Sequence, residues 1–201
     1  MKKHILILTG ILTLLVSARA NQEMLAASIG ETRTETQRTA DQLKATLDAL
    51  NGLVRKPQPD IAAAYTAFAA EVPKTEAAAA WTKTRVDWMA GEGQRYFSTW
   101  QSTVDAIVNP SLKKKAQKRL DSVKETYGKV SKSLTTANEK FQPFLSDLSD
   151  IQKTLANDIT AGGVNAVRDT VSNANWRYRS VNAAVQQALK EMKRMEDALK
   201  P

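Results

Sequence analysis

Two aspartates have the spacing at which paired carboxylates can do chemistry. Asp147 and Asp150, in the stretch "SDLSDI", are three residues apart and would share one side of a helix. Paired acids serve glycosidase-like hydrolysis, and carboxylate oxygens hold hard cations. A ferritin-like carboxylate site also needs an inward Glu-x-x-His, whereas the only histidine of the chain is His4. A hydrolase needs acids that converge in a cleft, and a continuous helical bundle offers no obvious cleft. We therefore predict no enzyme activity, no cofactor and no metal.

The chain lacks the residue types that other catalytic chemistries need. The chain has no cysteine, and His4 lies in a segment that we expect to be removed. Ser-His-Asp and Cys-His nucleophile systems and the usual zinc sites are therefore excluded. The stretch "MAGEGQ", residues 89–94, has a G-x-G without the third glycine or a preceding strand, so it predicts no phosphate loop. Gly91 and Gly93 instead indicate a flexible point or a close approach between helices.

A basic run lies in "NPSLKKKAQKRL", residues 109–120, which has five cations and no acid. Cations near a helix N-terminus oppose the helix dipole by a few tenths of a kcal/mol each, so helix stability does not explain them. Anionic lipid headgroups would attract them by about 1 kcal/mol per residue. The run is either a binding site for an anionic membrane or cell-wall surface or a solvated helix end. The candidate residues are Lys113, Lys114, Lys115, Lys118 and Arg119.

Four aromatic residues form a second candidate site. Trp81 and Trp88 are one heptad apart and lie off the main apolar stripe of the second predicted helix, and Phe97 and Trp100 follow them. They are either a docking face for a protein partner or side chains buried against a neighbouring helix.

Apolar residues that recur at steps of three and four place these candidates on helices. One such series runs from Ala116 to Leu155 and another from Val164 to Leu199, and every position in both is apolar. This is the heptad repeat of helices that pack as coiled coils or bundles. Turn residues at 55–60, 109–111 and 161–163 separate the helices. Asp60 and Asn109 are predicted N-caps, the latter with Pro110 as the first helical residue, and the glycines of 161–163 are a predicted C-cap. The predicted helices cover about 22–55, 60–108, 111–161 and 164–199.

These helices predict an all-α protein, an elongated antiparallel (up-down-up-down) four-helix bundle that forms a single domain over residues 21–201. The second and third helices would be roughly 70 to 75 Å long and the first and fourth roughly 50 to 55 Å, so the hairpin of the second and third helices would protrude. The segment "ETRTETQRT", residues 31–39, is polar nearly all round. We expect it to fray or to need a partner.

The first twenty residues resemble a signal peptide. Lys2 and Lys3 precede the apolar run at residues 5–16, and Ala18 and Ala20 suit an A-x-A cleavage site. Removal of the signal would leave 26 basic against 21 acidic residues, a net charge of +5. With no cysteine for lipid attachment, we expect a periplasmic or secreted protein that binds no nucleic acid. No later apolar run approaches the length of a membrane span, which argues against a pore-forming protein.

Phe97, Trp100, Leu112, Leu120 and Tyr127, then "FQPFLSDLSD" and "KTLAND", follow one another in a characteristic order. This order resembles the bacterial family called domain of unknown function 2959. The resemblance implies an envelope-associated helical protein, and it supplies no catalytic residues. Many members resemble lipoproteins, which this chain does not. We therefore expect a non-enzymatic structural or interaction protein with a protein partner or self-association; the alternative is a peripheral binder of an anionic surface.

Overall fold

The described chain consists of helices joined by short connections. The computed structural model describes residues 2–56 and 59–200, with side chains from residue 19 onward. These residues contain no strand, which confirms the all-α class. The helices are α1 (Lys2–Val54), α2 (Ile61–Asp105), α3 (Pro110–Asn157), α4 (Ala161–Ala166) and α5 (Arg168–Leu199).

The helix boundaries differ from the predicted ones at two places. The first helix begins at Lys2 rather than near residue 22, because "SARANQ" contains no glycine or proline that would interrupt it. The predicted glycine C-cap at residues 161–163 was wrong. The third helix already ends at Asn157, and the Thr160 hydroxyl accepts a hydrogen bond from the Gly163 N–H at 3.3 Å. Thr160 thus caps the start of α4, and the predicted fourth helix is divided into α4 and α5.

Two predicted N-caps are confirmed. The Asp60 carboxylate accepts a hydrogen bond from the Ala63 N–H at 2.8 Å at the start of α2. The Asn109 amide oxygen accepts one from the Leu112 N–H at 3.1 Å, and Pro110 is the first residue of α3. Each cap pairs a backbone donor that the first helical turn leaves without a partner.

The chain divides into two compact units. Unit 1 comprises Met1–Arg33, Thr84–Ser131 and Glu191–Pro201, and unit 2 comprises Thr34–Lys83 and Lys132–Lys190. Each unit takes segments from α1, α2, α3 and α5. The single domain expected over residues 21–201 stays a prediction.

Each unit has an apolar core to which α1, α2, α3 and α5 contribute. In unit 2 the core centres on the predicted heptad positions of α3, with Phe144, Leu148, Ile151 and Leu155 fully buried. In unit 1 the buried apolar side chains are Leu25, Ile29, Met89, Tyr96, Val104, Leu120, Val123, Val130, Met192, Met195 and Leu199. Since the periodic positions face inward, burial of this stripe is the main force that holds the helices together.

The polar segment at residues 31–39 does not fray, because α2 of the same chain covers it. In unit 1 the Thr32 hydroxyl donates to the Arg85 carbonyl at 3.1 Å. In unit 2 the Thr39 hydroxyl donates to the Ala78 carbonyl at 3.1 Å and lies 2.8 Å from the Thr82 hydroxyl. Threonine is short and can bond a backbone oxygen, so a polar residue fits a close helix contact. The prediction of fraying was wrong.

A hydrogen bond also compensates for the proline inside α2. Pro73 has no N–H, so the Ala69 carbonyl one turn earlier lacks its helical donor. The Gln152 amide nitrogen of α3 donates to that carbonyl at 3.3 Å, within unit 2. The chain therefore keeps α2 helical through Pro73 by pairing this backbone group from a neighbouring helix.

Candidate functional site

Two cations of the predicted basic run are engaged in the fold. The Lys113 ammonium donates to the carbonyl of Asp105, the last residue of α2, at 3.0 Å. The Arg119 guanidinium donates to the Ala198 carbonyl, near the end of α5, at 3.1 Å. Carbonyls in the last turn of a helix have no helical donor, and cations there are favourable. Lys113 and Arg119 therefore act as C-terminal caps.

The other three lysines of the run are exposed. Lys114, Lys115 and Lys118 have no ion pair or hydrogen bond with any described residue. Two aliphatic residues lie beside them in the sequence, Val108, which is 94% exposed, and Leu112, which is 56% exposed. We call these five residues the α2–α3 tip. It combines unpaired positive charge with exposed apolar surface.

The four candidate aromatic residues do not form one face. Trp81 lies in unit 2 and is 61% exposed, so the interpretation that it is buried was wrong. Trp88, Phe97 and Trp100 lie in unit 1 and are half-buried. The Trp88 indole N–H donates to the buried Glu92 carboxylate at 3.1 Å, and the Arg85 guanidinium lies 5.7 Å from the centre of a Trp88 ring. The position of Trp88 is therefore fixed by contacts within α2.

An aromatic cluster joins α2 to α3 in unit 1. The Tyr96 ring lies 5.2 Å from that of Phe97 and 5.5 Å from that of Trp100, and Phe97 meets the Tyr127 ring edge-on at 5.3 Å. The Tyr127 hydroxyl donates to the Met89 carbonyl at 3.0 Å. Such offset and edge contacts add to the stability that burial supplies.

Gly93 permits this approach of Tyr127. A Cβ atom at Gly93 would lie 2.5 Å from the Tyr127 hydroxyl, whereas one at Gly91 would meet nothing within 4 Å. The close helix approach expected at these glycines is thus found at Gly93 alone.

A cavity of about 920 Å³ lies in unit 1 beside the end of α5. Tyr96 and Trp100 of α2 and Arg119 of α3 line it, and Gln22 of α1 and Leu199 of α5 lie on its wall. The Gln22 amide nitrogen donates to the Leu199 carbonyl at 2.5 Å. The last carbonyls of α5 are therefore capped from two other helices, and these caps fix the wall of the cavity.

Two tyrosines of unit 1, the buried Tyr96 and the half-buried Tyr127, remain protonated at neutral pH. Burial raises the pKa of Tyr96, and the positive charge of Arg119 partly opposes that rise. Burial also raises the pKa of Tyr127, and a hydrogen bond with Ser131 partly opposes it. Because both hydroxyls keep their protons, both can donate hydrogen bonds.

Unit 2 contains a smaller cavity of about 520 Å³ at the end of α1. Asn51 and Asn175 exchange amide hydrogen bonds at 3.1 and 2.8 Å, and the Arg168 guanidinium donates to the Val54 carbonyl at 3.2 Å. Trp176, 67% exposed, lines one side. Asn51 and Asn175 thus pair with each other and Arg168 pairs with a backbone carbonyl, so these three side chains already have partners.

Each of the two candidate aspartates forms an ion pair. Asp147 lies 2.8 Å from the Arg177 guanidinium and Asp150 lies 3.9 Å from the Lys153 ammonium, both within unit 2. Among the described residues, no group of three or more histidines or acids could hold a metal ion. In the same part of the chain, no helix is long and apolar enough to cross a membrane.

The sequence did not point to the unit 1 cavity as a whole. Trp100 and Arg119 were candidates, but for two different surfaces, and Tyr96 was in neither candidate set. The spacing of Tyr96 and Trp100, four residues apart on one helix face, was the available signal. Gln22 and Leu199 come from opposite ends of the chain, and no local pattern connects them.

Comparison with known protein families supports the resemblance that the helical packing positions indicated. No curated protein matches the chain. The family described as "Protein of unknown function (DUF2959)" matches residues 17–199, which include α2 to α5 and most of α1. The chain belongs to this family, as the residues from Phe97 onward predicted.

Proposed function

We propose that this protein is a non-enzymatic helical interaction protein of the cell envelope or the secreted space, and that its α2–α3 tip binds an anionic membrane or cell-wall surface. One observation carries the proposal. Lys114, Lys115 and Lys118 are exposed without an ion pair in the described chain, and the exposed Val108 and Leu112 accompany them.

The composition of the tip suits the interface of a bilayer. Each lysine near an anionic membrane contributes about 1 kcal/mol of attraction. Burial of a Val or Leu side chain contributes roughly 1.5 to 3 kcal/mol more when it leaves water completely. Together these contributions support reversible peripheral binding without a membrane span.

We also propose that α1, α2, α3 and α5 form an elongated antiparallel up-down-up-down bundle with a protruding α2–α3 hairpin. Hydrogen bonds between α2 and α3 support it, because Gln101 bonds Gln117 while Met89 bonds Tyr127. Arg119 bonds Ala198 at the end of α5, roughly nine residues after α3 begins at Pro110. At ~1.5 Å per residue, the α2–α3 tip would extend about 13 Å beyond the end of α5.

Co-sedimentation with vesicles of anionic phospholipid tests the surface proposal. The variant changes Lys114, Lys115 and Lys118 to Ser and keeps Lys113 and Arg119, because those two cap helices. We expect wild type to bind at low ionic strength and to release at high salt. The variant should bind roughly 100-fold more weakly, since it loses about 1 kcal/mol for each of three lysines.

A matched control removes the same charge elsewhere. Lys132, Lys153 and Lys190 are exposed residues of unit 2, and their change to Ser should leave vesicle binding nearly unchanged. Equal losses in both variants would mean that net charge alone drives binding. Absence of salt-sensitive binding by wild type would refute the proposal.

Protein docking or self-association is a second candidate. The exposed indoles of Trp81 and Trp176 in unit 2 favour it, because large aromatic side chains are enriched at protein interfaces. Sedimentation velocity over a range of protein concentrations distinguishes a self-associating chain from a monomer.

A further inference from the structure

The cavity of unit 1 has no role in the proposed surface binding, yet its wall contains polar groups without partners. We propose that it is a binding site for a small amphiphile, an apolar chain or ring that carries a single anionic group. Its volume of about 920 Å³ lies within the roughly 300 to 1,000 Å³ of small-molecule sites.

Arg119 would receive the anionic group. One of its nitrogens donates to the Ala198 carbonyl at 3.1 Å, which holds the guanidinium in place. Arginine has five N–H donors, and the remaining ones have no partner among the described residues. A guanidinium that is already positioned loses less side-chain entropy when it binds a carboxylate or phosphate.

The other charged groups of the lining are already paired. Arg19 lies 3.1 Å from Glu23, and Lys200 lies 2.7 Å from Asp197. The carboxylate of Glu196 lies 2.8 Å from the guanidinium of Arg33, a residue of α1. Within the described chain, Arg119 is therefore the cation of this lining that lacks a carboxylate partner.

Two further donors line the same cavity. Tyr96 is only 7% exposed, and its hydroxyl makes no hydrogen bond within the described chain. The indole N–H of Trp100 is likewise without an acceptor there. Both donors face the open cavity rather than the closed core, so a bound anionic oxygen would take the place of water as their acceptor. These two donors and Arg119 favour an anion over a cation.

The apolar part of the ligand would contact the two rings. Tyr96 and Trp100 meet at 5.5 Å with an angle of 54° between their planes, so their faces form an open corner. Ala26 and Leu199 add aliphatic surface to the lining. Tyrosine and tryptophan present apolar faces beside a polar edge, which fits an amphiphile better than a bare inorganic anion.

Titration of the purified full chain with octanoate, followed by the indole N–H resonances in NMR, tests the proposal. Octanamide has the same chain without charge, and acetate has the charge without the chain. We expect octanoate to shift the Trp100 resonance and to bind at least about tenfold more tightly than either analogue. The resonances of the exposed Trp81 and Trp176 are internal references and should move little. A variant Trp100→Phe identifies the Trp100 resonance.

Two variants and a matched control test which side chains bind the anionic group of octanoate. Tyr96→Phe keeps the ring and should weaken octanoate binding about three- to tenfold through loss of one hydrogen bond. Arg119→Gln should weaken it more than tenfold, whereas Lys132→Gln, an exposed residue of α3 outside the cavity, should leave it unchanged. If Arg119→Gln fails to fold, octanoate binding by Tyr96→Phe is the test of the proposal.

Three results would overturn the proposal. They are equal affinities for octanoate and octanamide, an unmoved Trp100 resonance, and unchanged octanoate binding by Tyr96→Phe. Vesicle binding through the α2–α3 tip depends on other residues, so either proposal can fail while the other holds.

Discussion

Cationic side chains from a different helix lie at the C-terminal ends of three helices. Lys113 of α3 caps α2, Arg119 of α3 caps α5, and Arg168 of α5 caps α1 through the Val54 carbonyl. Each such contact satisfies an end carbonyl and places positive charge at the negative end of the helix dipole, worth about 0.3 to 1 kcal/mol. The basic run is therefore partly structural, and only its remaining three lysines need another explanation.

The contact of Gly93 with Tyr127 gives a residue-level prediction. Gly93→Ala would place a methyl group 2.5 Å from the Tyr127 hydroxyl, so Tyr127 must move and its bond to Met89 is strained. We expect a net loss of about 1 to 3 kcal/mol of unfolding free energy, because overpacking outweighs the better helix propensity of Ala. Chemical denaturation measures it.

Gly91→Ala is the matched control for Gly93→Ala. It adds the same methyl group to the same helix at a site where nothing lies within 4 Å. It should stabilise the chain by up to ~1 kcal/mol, the propensity difference alone. Equal stabilisation by both substitutions would contradict the close contact at Gly93.

At the scale of the element, threonines one heptad apart align α1 with α2. Thr39 bonds the Ala78 carbonyl, and seven residues later Thr46 lies 2.7 Å from the Thr75 hydroxyl and 3.4 Å from the Glu71 carbonyl. From the first contact to the second, the residue number on α1 rises by one heptad and the residue number on α2 falls by one heptad. A register shift would separate these hydroxyls from their partners in a buried interface, so the threonines specify the pairing.

Thr46 and Thr75 provide a test of this interface. Both are fully buried, and Val has nearly the shape of Thr without the hydroxyl. Thr46→Val alone leaves the Thr75 hydroxyl without this partner and should cost roughly 1 to 3 kcal/mol of unfolding free energy. Thr75→Val should be comparable. The double variant should cost less than the two single variants together, because both polar groups are gone.

Urea denaturation of the four proteins in that cycle measures the coupling. The substitution Thr126→Val, at a hydroxyl of α3 that bonds only the Ser122 carbonyl of its own helix, is a control outside the interface. Strict additivity of the two interface substitutions would show that the hydroxyls do not interact.

At the scale of the whole molecule, we predict that residues 1–20 are a signal peptide whose removal would lower the net charge of the chain. Its side chains before residue 19 lie outside the described residues, and its backbone continues α1. We expect export to remove residues 1–20, so mass spectrometry of the exported protein should find a chain that begins at Asn21. Arg19 would then leave the wall of the unit 1 cavity and Glu23 would lose its ion pair, whereas Arg119, Tyr96 and Trp100 would remain.

Substitutions at the cleavage site test that expectation. Ala18→Leu with Ala20→Leu replaces the small residues that the A-x-A pattern requires, and the exported chain should keep its leader. Ala27→Leu, an exposed position of α1 beyond the site, should be processed normally. Recovery of wild type with residues 1–20 still attached would contradict the prediction.

The sequence by itself determined the helical class, the inward-facing apolar series and the N-caps at Asp60 and Asn109. These follow from residues within one or two helical turns of each other, so spacing and residue type are enough to reveal them. The family resemblance rests on the same positions and is therefore visible in the chain without its coordinates.

Only the tertiary structure decided which polar groups meet. Gln22 and Leu199 are separated by 177 positions and Arg119 and Ala198 by 79, yet both bonds build the wall of one cavity. The partners of Thr39 and Gln152 also lie on other helices. Such contacts depend on how helices pair and rotate, which heptad spacing leaves open because every periodic face admits several neighbours.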